Sequence, residues 1–465
     1  MNENSKSKFY LTTSIAYVNA PPHLGFAQEL LAADVLARYY RKIGRDIWFL
    51  TGTDEHGLKI VKAAQEAGES EQEFADEISA KFRNLSGLLN ISNDDFIRTT
   101  EPRHIKIAQE LWQKCQKDIY KKKYQAFYCI GCESSLTKSD LVDGKCPIHQ
   151  TEPELIEEEN YFFKLSDYTE KIKEYLLDNP DFIKPQSRYN EILALVESGL
   201  EDISISRPKE KLNWGIPVPD NETQVMYVWF DALNNYLSAA KYWPADLHII
   251  GKDILRFHTA LWPAMLLSAG YELPKQIYVH GFISVDGHKM SKSLGNVISP
   301  QELVDKFGVD GTRYLLLKLL NFSEDSDFSW DKALACYNAD LANDLGNLVM
   351  RVVSLLLKCK NQNAKIKMTN QNSNRIEKIE NLQFQEYLIE IWKEISAMNQ
   401  EIDHKKLWEM VKNSPEQAKT ELSNLINRIY AIADQIEPFM PQTSQNIKEQ
   451  LENLNPKPLF PRIEK

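Results

Sequence analysis

A chain of 465 residues, 43% hydrophobic and 26% charged, can build roughly two to four domains with cores of their own, which excludes wholesale disorder. The net charge of −11 excludes indiscriminate binding to nucleic acid, although a local basic face remains possible. No stretch approaches the ~18 consecutive apolar residues of a membrane span, and the polar start lacks the core of a signal peptide, so no membrane association is expected.

The six cysteines, three of them clustered, fit a reducing compartment with one metal site better than a disulfide framework, so a cytoplasmic protein is expected. Charge is uneven along the chain. From Lys332 to the end there are 18 Lys and Arg against 17 Asp and Glu, a net +1, which leaves −12 for the rest. The C-terminal third is the less repulsive surface for a polyanion.

The first hundred residues alternate short apolar runs with helical periodicity. Residues 9–15 read as a strand, 24–43 as a helix and 46–50 as a strand. This is the rhythm of a doubly wound parallel sheet, in which ligands bind where strand ends meet helix starts. Between the first strand and helix lies Pro21-Pro22-His23-Leu24-Gly25-Phe26. Pro22 suits a first helical turn, and the helix start offers backbone N–H groups and partial positive charge to a phosphate. His23 can add a donor, and Gly25 lets a planar base approach. After the second strand, the turn Asp54-Glu55-His56-Gly57 places a carboxylate on the same rim. Asp54 reads either as a site residue or as a cap for the next helix.

Cys129-x2-Cys132 and Cys146-x2-His149 then form two knuckles with soft ligands. Four such ligands make a closed tetrahedral site, which suits a structural Zn2+. Cys115, Cys336 and Cys359 stand apart and read as small core residues. Residues from about 120 to 210 interrupt the alternation and read as an insertion, and the acidic stretch 152–159 reads as a solvated face. Residues 226–232 read as a strand, 247–253 as a strand ending in a Gly turn, and 276–282 as another strand. Next comes Lys289-Met290-Ser291-Lys292-Ser293 in a Gly-bounded loop, suited to neutralising a polyphosphate. After Asp331, apolar spacing is helical over 333–357, 379–402 and 407–436. Residues 361–374 read as a loop, and Pro438 and Pro441 break the last long helix.

The two phosphate-friendly segments, with the knuckle between them, resemble the class I aminoacyl-tRNA synthetases. His23-Leu24-Gly25-Phe26 is similar to their "HIGH" motif, and Lys289-Met290-Ser291-Lys292-Ser293 matches "KMSKS" letter for letter. Within that class the chain resembles the methionyl-tRNA synthetases over essentially its whole length, with the zinc knuckle of the bacterial single-zinc form. The resemblance implies an α/β fold: a Rossmann-type parallel-sheet catalytic domain split by a zinc-binding connective insertion, then an all-α anticodon-binding bundle. The matching boundaries are 1–118 and 211–285 for the catalytic halves, 119–210 for the insertion, 286–331 for the KMSKS loop and stem-contact segment, and 332–465 for the bundle. The interval from His23 to Lys289 has no room for the large editing domains of relatives specific for valine, isoleucine or leucine.

The implied activity is ATP-dependent activation of methionine and its transfer to the 3′-terminal adenosine of tRNA(Met), with Mg2+ accompanying ATP. The implied catalytic residues are His23, Lys289 and Lys292. ATP would be held by His23, Gly25, Gly251, Asp253 and Lys292. Methionine would be held by Ile15, Tyr17, Asp54, Trp229, Leu233, Tyr236, Ile254 and His258, with Asp54 on the ammonium group. Asn347, Arg351 and Trp408 would read and stack the anticodon bases, and Cys129, Cys132, Cys146 and His149 would hold the zinc. A monomer is expected. Two departures stand out: Phe26 replaces the second His of the first motif, and Leu407 stands where many relatives have Pro. Two other classes compete: a synthetase relative reduced to a tRNA-binding module, and a small-molecule nucleotidyltransferase. The intact 289–293 motif argues against the first, and the helical C-terminal third against the second.

Overall fold

The computed structural model describes residues 7–131, 133–136, 138–148, 150–290, 295–358 and 373–464. Contacts divide the chain into two compact units. The first comprises Met1–Pro22, Gly44–Gly87 and Ser92–His280; the second comprises His23–Ile43, Leu88–Ile91 and Gly281–Lys465. Among the described residues no helix is long and apolar enough to cross a membrane.

The first unit is built on a six-stranded parallel sheet. In spatial order its strands are Asp95–Arg98, Asp46–Asp54, Lys8–Tyr17, Leu247–Gly251, Ile277–His280 and Ile183–Lys184. The inner strands are rich in β-branched and aromatic residues and buried on both faces, as parallel strands require. The order runs outward in opposite directions from the pair Lys8–Tyr17 and Leu247–Gly251. That reversal is a topological switch point, and in open α/β sheets ligands bind beyond the carboxyl ends of the strands at such a point. Tyr17, Asp54 and Gly251 all end strands there.

Two local features shape that rim. Pairing of the first strand skips a step between Thr12 and Ile15, so one extra residue bulges out and the alternation of facing side chains resets before Ile15 and Tyr17. At Gly52 an added Cβ would lie 2.1 Å from the Ile97 carbonyl oxygen, so only glycine fits the close approach of the neighbouring strand. The sequence-based strand at 226–232 is corrected. The strand Asn221–Met226 stops there, and Val228–Ala232 is a short helix. All five of its residues are buried, so no alternation with polar residues marks its type.

A four-stranded antiparallel sheet carries the knuckle region, in the order Ser134–Leu136, Ile119–Cys129, Glu154–Phe163, Ile203–Ser204. The acidic stretch 152–159 is mostly exposed, but Glu158 is buried and faces Arg207.

In the second unit the first helix is Leu24–Lys42, with His23 as its N-cap. Pro22 therefore precedes the cap rather than sitting in the first turn. The helix Pro300–Leu319 opens with a capping box between Ser299 and Glu302. Its Arg313 is fully buried. The guanidinium pairs with Asp34 at 2.7 Å and donates to the carbonyls of Leu89 (2.9 Å), Pro438 (2.8 Å) and Phe439 (2.7 Å). Gln28, also buried, donates to the Leu316 and Leu320 carbonyls at the end of that helix.

The expected helix at 333–357 is three segments. An α-helix, Trp330–Cys336, widens into a π-helical stretch, Tyr337–Gly346, and continues as the α-helix Asn347–Lys358. The expected helix at 407–436 divides at Ser414 into Leu407–Asn413 and Pro415–Ile436. The last long helix stops at Ile436, before Pro438, and Pro441 opens a further helix, Pro441–Asn453. The expected loop at 361–374 lies outside the described residues except for its last two, which open the helix Ser373–Glu380.

Candidate active site

The turn after the strand Asp46–Asp54 holds two acidic side chains in contrasting states. Glu55 is saturated: its carboxylate accepts from Arg98 at 2.6 and 2.8 Å, Thr53 at 2.8 Å and Thr100 at 2.6 Å. Asp54 is not. Among the described residues its carboxylate accepts only the His56 backbone N–H, at 3.5 Å. Burial holds its pKa well above the usual carboxylate range, with Asp231 the next cause and Glu133 and Glu55 adding to it. The cap reading of Asp54 is set aside, because the N-cap of the following helix, Leu58–Ala67, is Gly57.

Tyr17, paired with Asp54 on the neighbouring strand, begins an aromatic wall. Tyr17 meets Trp229 edge to face at 6.2 Å, and Trp229 stacks on Phe257 at 4.0 Å with planes 8° apart. His258 stands edge-on to Trp229 at 6.2 Å, and its Nε2 meets the Tyr236 hydroxyl at 2.8 Å. Leu233 is buried on the same chain segment, and Ile15 and Ile254 are partly buried. Two polar atoms here, Tyr17 Oη and Trp229 Nε1, are buried with no hydrogen-bond partner among the described residues. Buried donors are ordinarily satisfied, so these orphans, in the same region as a carboxylate with one long backbone contact, mark a place for a ligand. All eight residues expected to hold methionine belong to the first unit.

Further along the rim, Gly251 ends its strand and Asp253 follows on an exposed turn. A Cβ at Gly251 would lie 2.8 Å from Asp253 Oδ1, so the glycine keeps this edge flat.

In the second unit, exposed His23 accepts the Gly25 N–H on Nδ1 at 3.0 Å, and the first turn of its helix carries no acidic residue. That leaves the positive end of the helix dipole uncompensated by side chains of its own turn. Phe26 is only 8% exposed, so it serves packing rather than phosphate contact. The strands Ile283–Val285 and His288–Lys289 form a hairpin whose two turn residues, Asp286 and Gly287, both have positive φ. Asp327 fixes this hairpin, accepting Gly287 N–H and Ser284 Oγ–H at 2.7 Å each. Those two bonds hold its pKa below the usual range. The backbone of Lys289 is in place at the end of the hairpin, while Lys292 lies outside the described residues.

Of the four expected zinc ligands, Cys129 and Cys146 are buried in the first unit, and Cys132 and His149 lie outside the described residues. Cys129 ends a strand where a turn closes from Glu133 N–H to the Ile130 carbonyl, and Cys146 opens a turn closed by Gln150. Glu133, next in the chain after Cys132, was not singled out from the sequence. It is buried with φ +50°, accepts the Lys59 N–H at 2.7 Å at the start of the helix Leu58–Ala67, and is gripped by the hydroxyls of Tyr128 and Tyr227. The buried trio His56, Asp231 and His104 was also unforeseen, since its members are far apart in the chain.

The second unit also presents the three residues expected to meet the anticodon. Asn347 is exposed one turn before Arg351 on the helix Asn347–Lys358. Arg351 pairs with Asp403 and lies 6.0 Å from the Trp408 ring, which is 40% exposed. Arg and Trp side by side at a surface are suited to stacked bases.

The family model described as tRNA synthetases class I (M) matches residues 9–152 and 129–353. A methionine–tRNA ligase of Caldanaerobacter subterraneus is 43% identical over 96% of this chain and 74% of its own length. One from Nostoc is 41% identical over 96% of this chain and 90% of its own. Mycobacterium tuberculosis methionyl-tRNA synthetase in complex with methionyl-adenylate superposes with a TM-score of 0.90 at 36% identity, covering 98% of this chain and all of that one. On the sheet, the two motifs and these likenesses, the chain belongs to the methionyl-tRNA synthetases of class I.

Proposed function

We propose that the chain activates methionine with ATP and charges tRNA(Met), as a methionine–tRNA ligase. The observation that carries this reading is Asp54: a buried carboxylate that has no side-chain partner among the described residues, in a region with an aromatic wall and two buried donors that are orphaned among those residues. An α-amino acid brings an ammonium group for the carboxylate, and a thioether suits the rings of Trp229, Phe257 and Tyr17.

In the first step the methionine carboxylate attacks the α-phosphorus of ATP, and pyrophosphate leaves with the bonding electrons. In the second, a ribose hydroxyl of the terminal tRNA adenosine attacks the activated carbonyl and AMP leaves. No protein nucleophile is required. The protein's part is to align the reactants and to stabilise developing charge, which falls to His23, Lys289 and Lys292. Gly25, Gly251 and Asp253 would receive the rest of the nucleotide. Mg2+ arriving with ATP would neutralise phosphate charge. Cys129, Cys132, Cys146 and His149 have the donor chemistry to hold Zn2+ in a closed structural site. Asn347, Arg351 and Trp408 would contact the anticodon. The cysteine pattern supports a cytoplasmic, reducing setting, and a monomer is the state to test by sedimentation.

Pyrophosphate exchange into ATP, dependent on methionine, followed by charging of methionine tRNA, tests the reading. Absence of exchange with every amino acid would leave a tRNA-binding module, and exchange without charging would favour a small-molecule nucleotidyltransferase. Norleucine carries a methylene in place of the sulfur, and an apolar difference of that size discriminates by only ~1–3 kcal/mol, so norleucine should show measurable exchange.

A further inference from the structure

Asp231 is fully buried, and both of its oxygens are engaged. Oδ2 lies 2.7 Å from His56 Nδ1, and Oδ1 lies 2.7 Å from His104 Nε2. An ionised carboxylate only accepts, so each ring presents a proton at that nitrogen. The other nitrogen of His104 faces Ser238 Oγ at 3.1 Å. Ser238 has a single hydroxyl proton, and its shorter contact, 2.7 Å, is with the Asn234 carbonyl, which can only accept. The proton therefore goes to Asn234, Ser238 Oγ accepts from His104 Nδ1, and His104 donates from both nitrogens. A histidine that does so is an imidazolium. It is itself fully buried, directly against the carboxylate that balances it.

This pairing bears on Asp54. The groups that act on Asp54 are Asp231, Glu133, Glu55 and the His56 backbone, with Tyr17 also close by. Glu55 is neutralised by Arg98, and Lys59 Nζ lies over the Tyr17 ring at 4.4 Å. An uncompensated Asp231 would oppose an ionised Asp54 in this dry setting. We infer that His104, acting through Asp231, is a positioning residue for the substrate's ammonium group: it supplies the positive charge that lets Asp54 receive that group as a carboxylate. His56 completes the device by tying the Asp54 turn to the helix Val228–Ala232 that carries Trp229. The inference rests on Asp54 as the ammonium acceptor.

The test compares equilibrium binding of methionine and of 4-(methylthio)butanoate, which lacks the amino group, to the full chain. His104→Gln keeps an N–H where Nε2 stood but removes the charge. Methionine should bind about tenfold or more weakly, and the analogue within about twofold of the parent. Parent-like methionine affinity, or equal weakening of both ligands, overturns the inference. Parent-like methionine affinity in Asp54→Asn overturns instead the assignment of the ammonium group. If His104→Gln does not fold, nitrogen NMR of the parent's imidazoles reads the same point. Both His104 nitrogens should carry a proton in the folded parent, as the hydrogen bonds require, and one bare nitrogen overturns the inference.

Discussion

Tyr236 Oη lies 2.8 Å from His258 Nε2, while His258 Nδ1 lies 3.0 Å from the Ile254 carbonyl. The carbonyl only accepts, so Nδ1 carries the proton and Nε2 takes the tyrosine's. The ring is neutral, in keeping with burial pushing its pKa down to about 4. A neutral, rigid wall is what an uncharged thioether side chain needs. Tyr236→Phe leaves Nε2 without its donor, at a cost of about 1–3 kcal/mol. KM for methionine should rise roughly tenfold, with KM for ATP unchanged, in pyrophosphate exchange. Equal changes in both constants would count against a pocket role.

The same burial sets a pH dependence of stability. His258 titrates near 6.5 when unfolded and about 4 when folded, so the unfolded chain binds its proton more readily between those values. The stability tied to this group is complete above the unfolded pKa and is lost as pH falls through the window, by on the order of 3 kcal/mol. His248 shifts the same way, again through burial. Urea midpoints of the parent should fall more between about pH 7 and pH 4.5 than those of His258→Gln. Parallel falls would show that the group is not responsible.

Asp54 gives the opposite kind of signal. With the site empty its pKa is raised, chiefly by burial and then by Asp231, and an arriving ammonium group favours the ionised form. Methionine affinity should therefore weaken as pH falls below that raised pKa. Asp54→Asn should raise KM for methionine about 100-fold or more, in line with the ~3–5 kcal/mol attached to breaking a buried charge pair. An Asn variant with parental KM would remove Asp54 from the site.

Much of this site was readable before any coordinates. Strands such as Lys8–Tyr17 and Leu247–Gly251 announce themselves as apolar runs between turns, and the motifs at 23–26 and 289–293 are local in sequence. Other parts left no local trace. The helix Val228–Ala232 is buried all round, so its apolar run has no period to read. The π-helical stretch Tyr337–Gly346 keeps enough helical spacing to pass for α. Asp231 finds His56 and His104 across 175 and 127 residues, and Glu133 finds the Lys59 N–H across 74. Such pairings belong to the tertiary fold, and pattern along the chain cannot supply them.

Lys292 is assigned to the phosphates from its motif. A single donor at a developing charge contributes ~3 kcal/mol, so Lys292→Ala should slow adenylate formation about 100-fold while leaving methionine affinity near the parent's. Stopped-flow adenylate formation measures this, and an unchanged rate would reassign the loop.

Trp408 and Arg351 stand far along the chain from the residues assigned to activation, and pyrophosphate exchange needs no tRNA. Trp408→Ala should raise KM for tRNA by an amount matching the ~1–3 kcal/mol of a stacked base and leave exchange unchanged. A loss of exchange would instead point to a folding defect, which circular dichroism would reveal.

Arg313 makes the second unit a late achievement of synthesis. Asp34 and Leu89 are made before Arg313, which follows Leu89 by 224 residues, and the Pro438 carbonyl comes 125 residues later still. Until those carbonyls arrive, a dry interior around the Asp34–Arg313 pair lacks acceptors it needs. The helix Leu24–Lys42 is thus made long before it can be fully seated. A nascent chain that already carries the 289–293 motif still awaits the carbonyls that let the helix capped by His23 settle.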